Sequence, residues 1–414
     1  MENNYFTTPD RRPLKSPDKG EMDEILGKFR EELPYVQTAD VCGVRIQLKT
    51  NSRHISDFWR LNWFPAIGGP NRPINPDGIV CAVTGVKGYE PHLFYDLKRK
   101  RMLVVNSEYY GAVKSAGVLG LAGAILEERD VYPIHGACVG VEKDQGRSIE
   151  GCIIIAPTGT GKTAQAHELL YSVSNSKVHS DDYVFVFFEP GPVAMATENQ
   201  LYMRTDIAMS HKTFIGLFDR LPLENVVTKK QECRIIQASG ADSCYHDALS
   251  GERSCEFDRG RRLCYWAYGN SRVMFPRWMF PMMTRGTDGG LCEAPKGEAN
   301  VVNEASVNYL VLLTRDEDSV PARLLNCEEA IEILREGRFT VRPGAGPPES
   351  WGKIGYEPFY NPYPTEMNLE HQEQFFRRLY NAGVRFYLLN TGHYKNRKIS
   401  THQTHMYIRH IIGV

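Results

Sequence analysis

The 414-residue chain has no Cys-x-x-Cys pair, no apolar run of about 18 residues, no repeat and no excess of charge of either sign. Each absence removes a class of protein. Ten cysteines scattered from Cys42 to Cys327 lack zinc-type pairing with histidine, so reduced structural thiols are expected. Lys plus Arg (49) balances Asp plus Glu (50), which gives neither a basic field for nucleic acid nor an acidic excess for disorder. The N-terminal "MENNYFTTPDRRPLKSPDKGEMDE" has no apolar core of a secretion signal, and nothing reads as a membrane span. The expectation is a cytoplasmic protein with no nucleic-acid and no membrane partner.

What is present is a 42% apolar chain, enough for an ordinary core. Residues 1–20, rich in Pro, Asp, Lys and Arg, read as a flexible tail. "VCGVRIQLKT" from Val41 alternates as a strand does, and "PHLFYDLKRKRMLVVNS" reads as two strands joined at a basic turn, so Lys98 to Arg101 form a solvated hairpin tip. "YYGAVKSAGVLGLAGAILE", Tyr109 to Glu127, carries a helical apolar pattern, and "RDVYPIHGACVGVE" follows as a strand. Strand, loop, helix and strand in this order predict an α/β protein. The polar stretch from about 230 to 265 reads as an insertion or surface excursion.

The most informative stretch is "CIIIAPTGTGKTAQAHELL", Cys152 to Leu170. A short apolar strand runs into a Gly-rich turn, and Ala166, Leu169, Leu170 and Val173 then fall at helical spacing. That is the context of a P-loop. In it the backbone N–H groups of Thr158, Gly159, Thr160 and Gly161 would curl around phosphate oxygens, and the helix N-terminus would add its positive dipole end. Lys162 is placed for the β- and γ-phosphates and Thr163 for Mg²⁺. Ala156 stands where the usual pattern begins with glycine. Downstream, "KVHSDDYVFVFF" puts Asp181 and Asp182 at the front of an apolar strand, where a phosphotransferase needs a carboxylate for metal.

These segments resemble the phosphoenolpyruvate carboxykinase superfamily, which also includes HPr kinase/phosphorylase. "APTGTGKTA" is similar to the carboxykinase loop G-L-S-G-T-G-K-T-T, and "HSDDYV" resembles its G-D-D-E and the HPr kinase A-D-D-x-V. "YPIHGACVGV" looks like the HPr kinase V-H-G-V-L-V, which implies a functional role for His135. "LYMRTDIAMS…LPLENVV" and "GNSRVMFP" resemble C-Y-A-K-T-I…L-L-E-N-V and E-N-T-R-V-x-Y-P, making Arg272 a phosphate-binding candidate. "FYLLNTGH" and "KISTHQTHMYI" resemble the adenine segment, so that Lys398 and Thr404 are implied at the base and Asn390 to Gly392 at the wall of its pocket. The resemblance implies a P-loop-containing carboxykinase-like α/β fold with mixed sheets. It consists of a smaller N-terminal α/β domain over 21–130 and a nucleotide-binding catalytic domain over 131–414, with the active cleft between them.

Departures from the family bear on the reaction. The carboxylate- and CO₂-handling motif T-G-R-S-P-K-D-K survives at most as "TGVKGYEP", Thr84 to Pro91, without its arginine. In "YYGAVKS" one family lysine remains as Lys114, and the second, a metal ligand, aligns with Ser115. The leading expectation is an ATP-dependent kinase using Mg²⁺ or Mn²⁺ on a hydroxyl of a small molecule or a protein. Lys162, Arg272 and Lys114 would be cationic clamps, and Thr163 and Asp182 metal ligands. Asp181 would be the base, and His135 a metal ligand or a base. The alternatives are an ATP-dependent phosphoenolpyruvate carboxykinase and a non-catalytic nucleotide binder.

Overall fold

The computed structural model describes residues 14–16, 18–67, 75–157, 160–230, 255–258, 260, 262–264, 271–287, 289–315, 319–341, 352–361 and 369–414. Most of the polar stretch 230–265 lies outside them. Two compact units emerge. One comprises residues 1–39, 45–118 and 200–276; the other comprises 40–44, 119–199 and 277–414. The chain crosses between them at 118/119 rather than near 130. Residues 200–276, expected with the catalytic domain, group with the N-terminal segments. The expected tail is ordered in part, since Leu14–Ser16 pairs in parallel with His92–Asp96 and a helix begins at Lys19 with Asp18 as its N-cap.

The first unit is built around a mixed seven-stranded sheet. Its central parallel strands are Val44–Thr50, Gly78–Val83 and Arg101–Val105, and the expected hairpin joins His92–Asp96 to Arg101–Val105. Met22 and Ile25 of the first helix pack on Val83, Phe94, Leu103 and Val105. The helix Arg53–Asn62 starts where Ser52 Oγ accepts the Ile55 N–H, and it buries Ile55, Phe58, Trp59 and Asn62 along one stripe. The helix expected from Tyr109 opens instead as a π-helix, Ala112–Leu119, before continuing as the α-helix Gly120–Glu127. Wider turns of this kind recur at functional sites because they re-aim side chains that regular spacing would carry elsewhere. Gln200–Arg204, Arg272–Pro276 and Leu223–Glu224 complete the unit as a small antiparallel sheet.

The second unit is a nine-stranded mixed sheet with Ser148–Ile155 and Glu304–Thr314 paired in parallel near its middle. Arg385–Asn390 continues the parallel run. A strand covered on both faces must be apolar throughout, and Cys152 to Ile155 are fully buried. Each of those isoleucines stabilises the fold by about 1.5–3 kcal/mol through burial. The glycine turn follows this strand, and the helix Lys162–Ser172 packs back with Ala166, Leu169 and Leu170 buried. Among the described residues no helix is long and apolar enough to cross a membrane.

Candidate functional site

The turn after Ile155 ends at Gly161, whose φ of 111° lies where a side chain is strained and which serves as the helix N-cap. Thr158 and Gly159 lie outside the described residues. Thr160 N–H donates to Pro157 O at 3.1 Å, and Thr160 O accepts from the Thr391 hydroxyl at 2.9 Å. The Asn390 to Gly392 segment therefore holds the turn itself. Sequence reasoning had reserved that segment for a pocket wall and missed the contact, although the "NTG" signal was there.

Lys162 opens the helix and is mostly buried. Its ammonium donates to Asp182 Oδ1 at 2.9 Å and to Asp182 O at 3.3 Å. His135, at the end of the strand Tyr132–Ile134, places Nε2 3.4 Å from the same Oδ1. Its Nδ1 lies 2.9 Å from Tyr360 O. A carbonyl accepts only, so Nδ1 carries the proton there and Nε2 is left as the other nitrogen. A lone pair on Nε2 and a carboxylate oxygen repel at that distance unless a proton or a cation lies between them. A proton on Nε2 or a cation would satisfy the pair, and the Lys162 ammonium already shares this oxygen. Among the described residues no group of three or more His, Cys, Asp or Glu side chains converges as a metal cage. Asp181 is buried beside this point, and Thr163 is exposed at the helix start.

The carboxylates are aimed by an underlying scaffold that sequence reasoning did not identify. Ser180 Oγ and Thr197 Oγ1 both donate to Tyr183 O, at 2.8 and 2.9 Å, which pins the turn that carries Asp181 and Asp182. Buried Arg277 donates to His179 O and Val302 O, each at 3.0 Å, and to Asn303 Oδ1. Burial pulls the Arg277 guanidinium down to about 10 and the His179 imidazole down to about 4, so His179 is neutral and accepts no role as a charge.

Lys114 and Arg272 belong to the first unit. Lys114 is buried with its ammonium 4.4 Å from the Tyr202 ring centroid, and Tyr110 stacks on the same ring at 5.1 Å and 6°. Arg272 sits between Arg204 and Glu224 on one rung of the small sheet. Glu224 meets His54 Nε2 at 3.1 Å, and burial raises the Glu224 carboxyl above the usual carboxylate range. The Tyr110 hydroxyl is pushed well up by burial. Cations over aromatic rings in a desolvated place attract anions strongly.

Lys398 is exposed in a two-residue strand paired with His393–Tyr394. Thr404 is fully buried, with its hydroxyl 3.4 Å from Ser400 O within its own helix. That leaves it no surface to present to a base.

No protein-family model matches the chain. It is 26% identical over 308 residues to phosphoenolpyruvate carboxykinase (ATP) of Aeropyrum pernix, a match covering 72% of this chain and 53% of the relative. The chain thus spans about half the length of the curated relative it matches. The similarity supports at most a distant carboxykinase-like relationship, with which the α/β architecture and its mixed sheets agree.

Proposed function

We propose that the chain is an ATP-dependent phosphotransferase on a carboxykinase-like scaffold, acting on a hydroxyl acceptor. The observation that carries the reading is the convergence of Lys162, Asp182 and His135 at the mouth of a Gly-rich turn between a buried strand and a helix. Phosphoryl transfer asks a protein chiefly to position reactants and to neutralise charge. The turn supplies backbone donors for phosphate oxygens, and Lys162, released from Asp182 by the incoming anion, follows the β- and γ-phosphates. Asp182, with Thr163 and His135 Nε2 as further donors, would hold a divalent cation such as Mg²⁺ or Mn²⁺, which would supply charge neutralisation at the phosphates. Asp181 takes the acceptor hydroxyl's proton. His135 is the alternative base, and both of its proposed roles use Nε2, because Nδ1 is held by Tyr360 O. Lys114 and Arg272 stay as the cationic clamps that the family resemblance implies.

The name of the relative favours a second reading, ATP-dependent conversion of oxaloacetate to phosphoenolpyruvate. Against it stand Ser115 in place of the second lysine and a "TGVKGYEP" without arginine. Decarboxylation needs cationic stabilisation of an enolate as CO₂ leaves. One experiment decides between the readings. Protein is supplied with oxaloacetate, ATP, Mg²⁺ and Mn²⁺, and phosphoenolpyruvate is read through pyruvate kinase, with Lys162→Met as the blank. In parallel, transfer of ³²P from γ-labelled ATP is screened against pools of hydroxyl metabolites and proteins. Label transfer without phosphoenolpyruvate supports the kinase; phosphoenolpyruvate that disappears in Lys162→Met replaces it with the carboxykinase.

A further inference from the structure

Segments 200–230 and 271–276 are held to the N-terminal part of the first unit by two kinds of contact. The first carries no formal charge. Phe58, Tyr110, Tyr202 and Met274 form one apolar cluster, and the Tyr202 hydroxyl donates to Asn62 Oδ1 at 2.7 Å. The second is a buried acid–base pair. His54 Nε2, in the first turn of the helix Arg53–Asn62, lies 3.1 Å from Glu224 Oε2, and their side chains are 11% and 2% exposed. Glu224 is the backbone partner of Arg272 on the small sheet, so what fastens Glu224 also fastens the strand that carries Arg272.

The charges around the imidazole come from three elements. Glu224 faces it from the small sheet, Glu108 from the segment before the π-helix, and Asp57 from the next turn of its own helix, where Arg53 and Arg60 pair with that carboxylate. Ser52 Oγ donates to Glu108 Oε1 and accepts the Ile55 N–H, which ties Glu108 to the helix start. Behind Glu224, Arg272 and Lys114 face the Tyr110 hydroxyl. Burial and the positive end of the helix dipole oppose a cation at His54, yet the carboxylates prevail and hold its imidazole above the ordinary histidine range. Burial holds the Glu224 carboxyl above the carboxylate range, so both groups keep protons to higher pH than they do in the unfolded chain. The stability that His54 contributes is full below its unfolded value near 6.5 and is lost as pH rises through its folded transition. Loss of that proton leaves a buried carboxylate without its cation.

We propose that the His54–Glu224 pair is a proton-operated latch within the first unit. While His54 carries its proton, the small-sheet segments stay fastened to the helix Arg53–Asn62. Once the proton is lost they open locally, the strand that carries Arg272 loosens with them, and only the uncharged contacts hold them. The latch does not depend on the reaction proposed above, in which neither His54 nor Glu224 has a part.

Hydrogen exchange of the full chain, read peptide by peptide and corrected for intrinsic rates, tests the latch. From about pH 6.5 to about pH 8.5 the protection of 200–227 and 271–276 should fall about tenfold, while the central strand Gly78–Val83 keeps its protection. His54→Gln should show low protection of the two segments at both ends of that range, with no dependence on pH. Glu224→Gln, which removes the buried charge, should give a flat profile as well. A flat wild-type profile, a pH dependence that survives in both variants, or an equal loss of protection in Gly78–Val83 would overturn the latch. Should either variant fail to fold, the wild-type profile decides alone, a fall confined to the two segments supporting the latch and any other result refuting it.

Discussion

The two units carry their chemistry-bearing residues in different ways. In the second, Lys162, Asp182 and His135 stand at the ends of backbone elements whose positions are set by sheet ladders and a helix start. In the first, Lys114 is aimed by a π-helix and held over a stack made by Tyr110 and Tyr202, from stretches about ninety residues apart. Residues at ladder ends come with local motifs. Residues held by stacking have no local signature, because the partner that aims them lies far along the chain. The second kind of placement can be read only once the fold is known.

The harshest way to break that comparison is Lys162→Met. Turnover should fall about 10³-fold or more, roughly 4 kcal/mol of transition-state stabilisation. Steady-state ATPase or transfer kinetics checks this, and retention of activity would remove the turn from the chemistry. Acid provides a second test, on stability. Burial holds His179 at about 4 where an unfolded histidine titrates near 6.5, so between those values the unfolded chain binds the extra proton. Stability is fully present above about pH 6.5 and is lost as pH falls toward 4, by roughly 3 kcal/mol at most. Urea titrations from pH 7 to pH 4.5 should show the loss. A flat profile in that window would mean that His179 is charged or solvated in the folded state.

Asp182→Asn keeps the shape and removes the charge, so turnover should drop about 10²-fold while ATP affinity changes little. An equal loss in both would make Asp182 a binding or structural residue instead. The smallest expected effect lies in the first unit. Tyr202→Leu removes the ring under Lys114 and the hydroxyl bonded to Asn62 Oδ1 at 2.7 Å. It should lower stability by about 1–2 kcal/mol, read as a shift of the urea midpoint. An unchanged midpoint would mean that the stack does not hold Lys114 in place.

Much of the second unit was legible in the residues. "CIIIAPTGTGKTAQAHELL" announces strand, turn and helix, because an apolar run, a glycine pair and an i, i+3, i+4 stripe each have a local physical cause. "HSDDYV" likewise announced a strand-end acid pair. Less legible was which oxygen each group would meet. The Tyr360 carbonyl that settles the His135 tautomer, the Thr391 hydroxyl on Thr160 O and the Arg277 staple on His179 O come from 225, 231 and 98 positions away. The π-helix was also hidden, since an apolar period near 3.6 does not distinguish it from the α-helix into which it runs.

By itself the sequence determined the α/β alternation, the Gly-rich turn with Lys162 at a helix start, and the pairing of strands around the basic tip at Lys98 to Arg101, all of which follow from contacts within about twenty residues. Tertiary structure alone decided that 200–276 joins the N-terminal segments, that Lys162 and His135 share Asp182, and that Thr391 holds Thr160 O. The reason is physical. Periodicity and turn chemistry act along the chain, whereas burial, ion pairing and stacking are settled by whichever distant segment fills the remaining space.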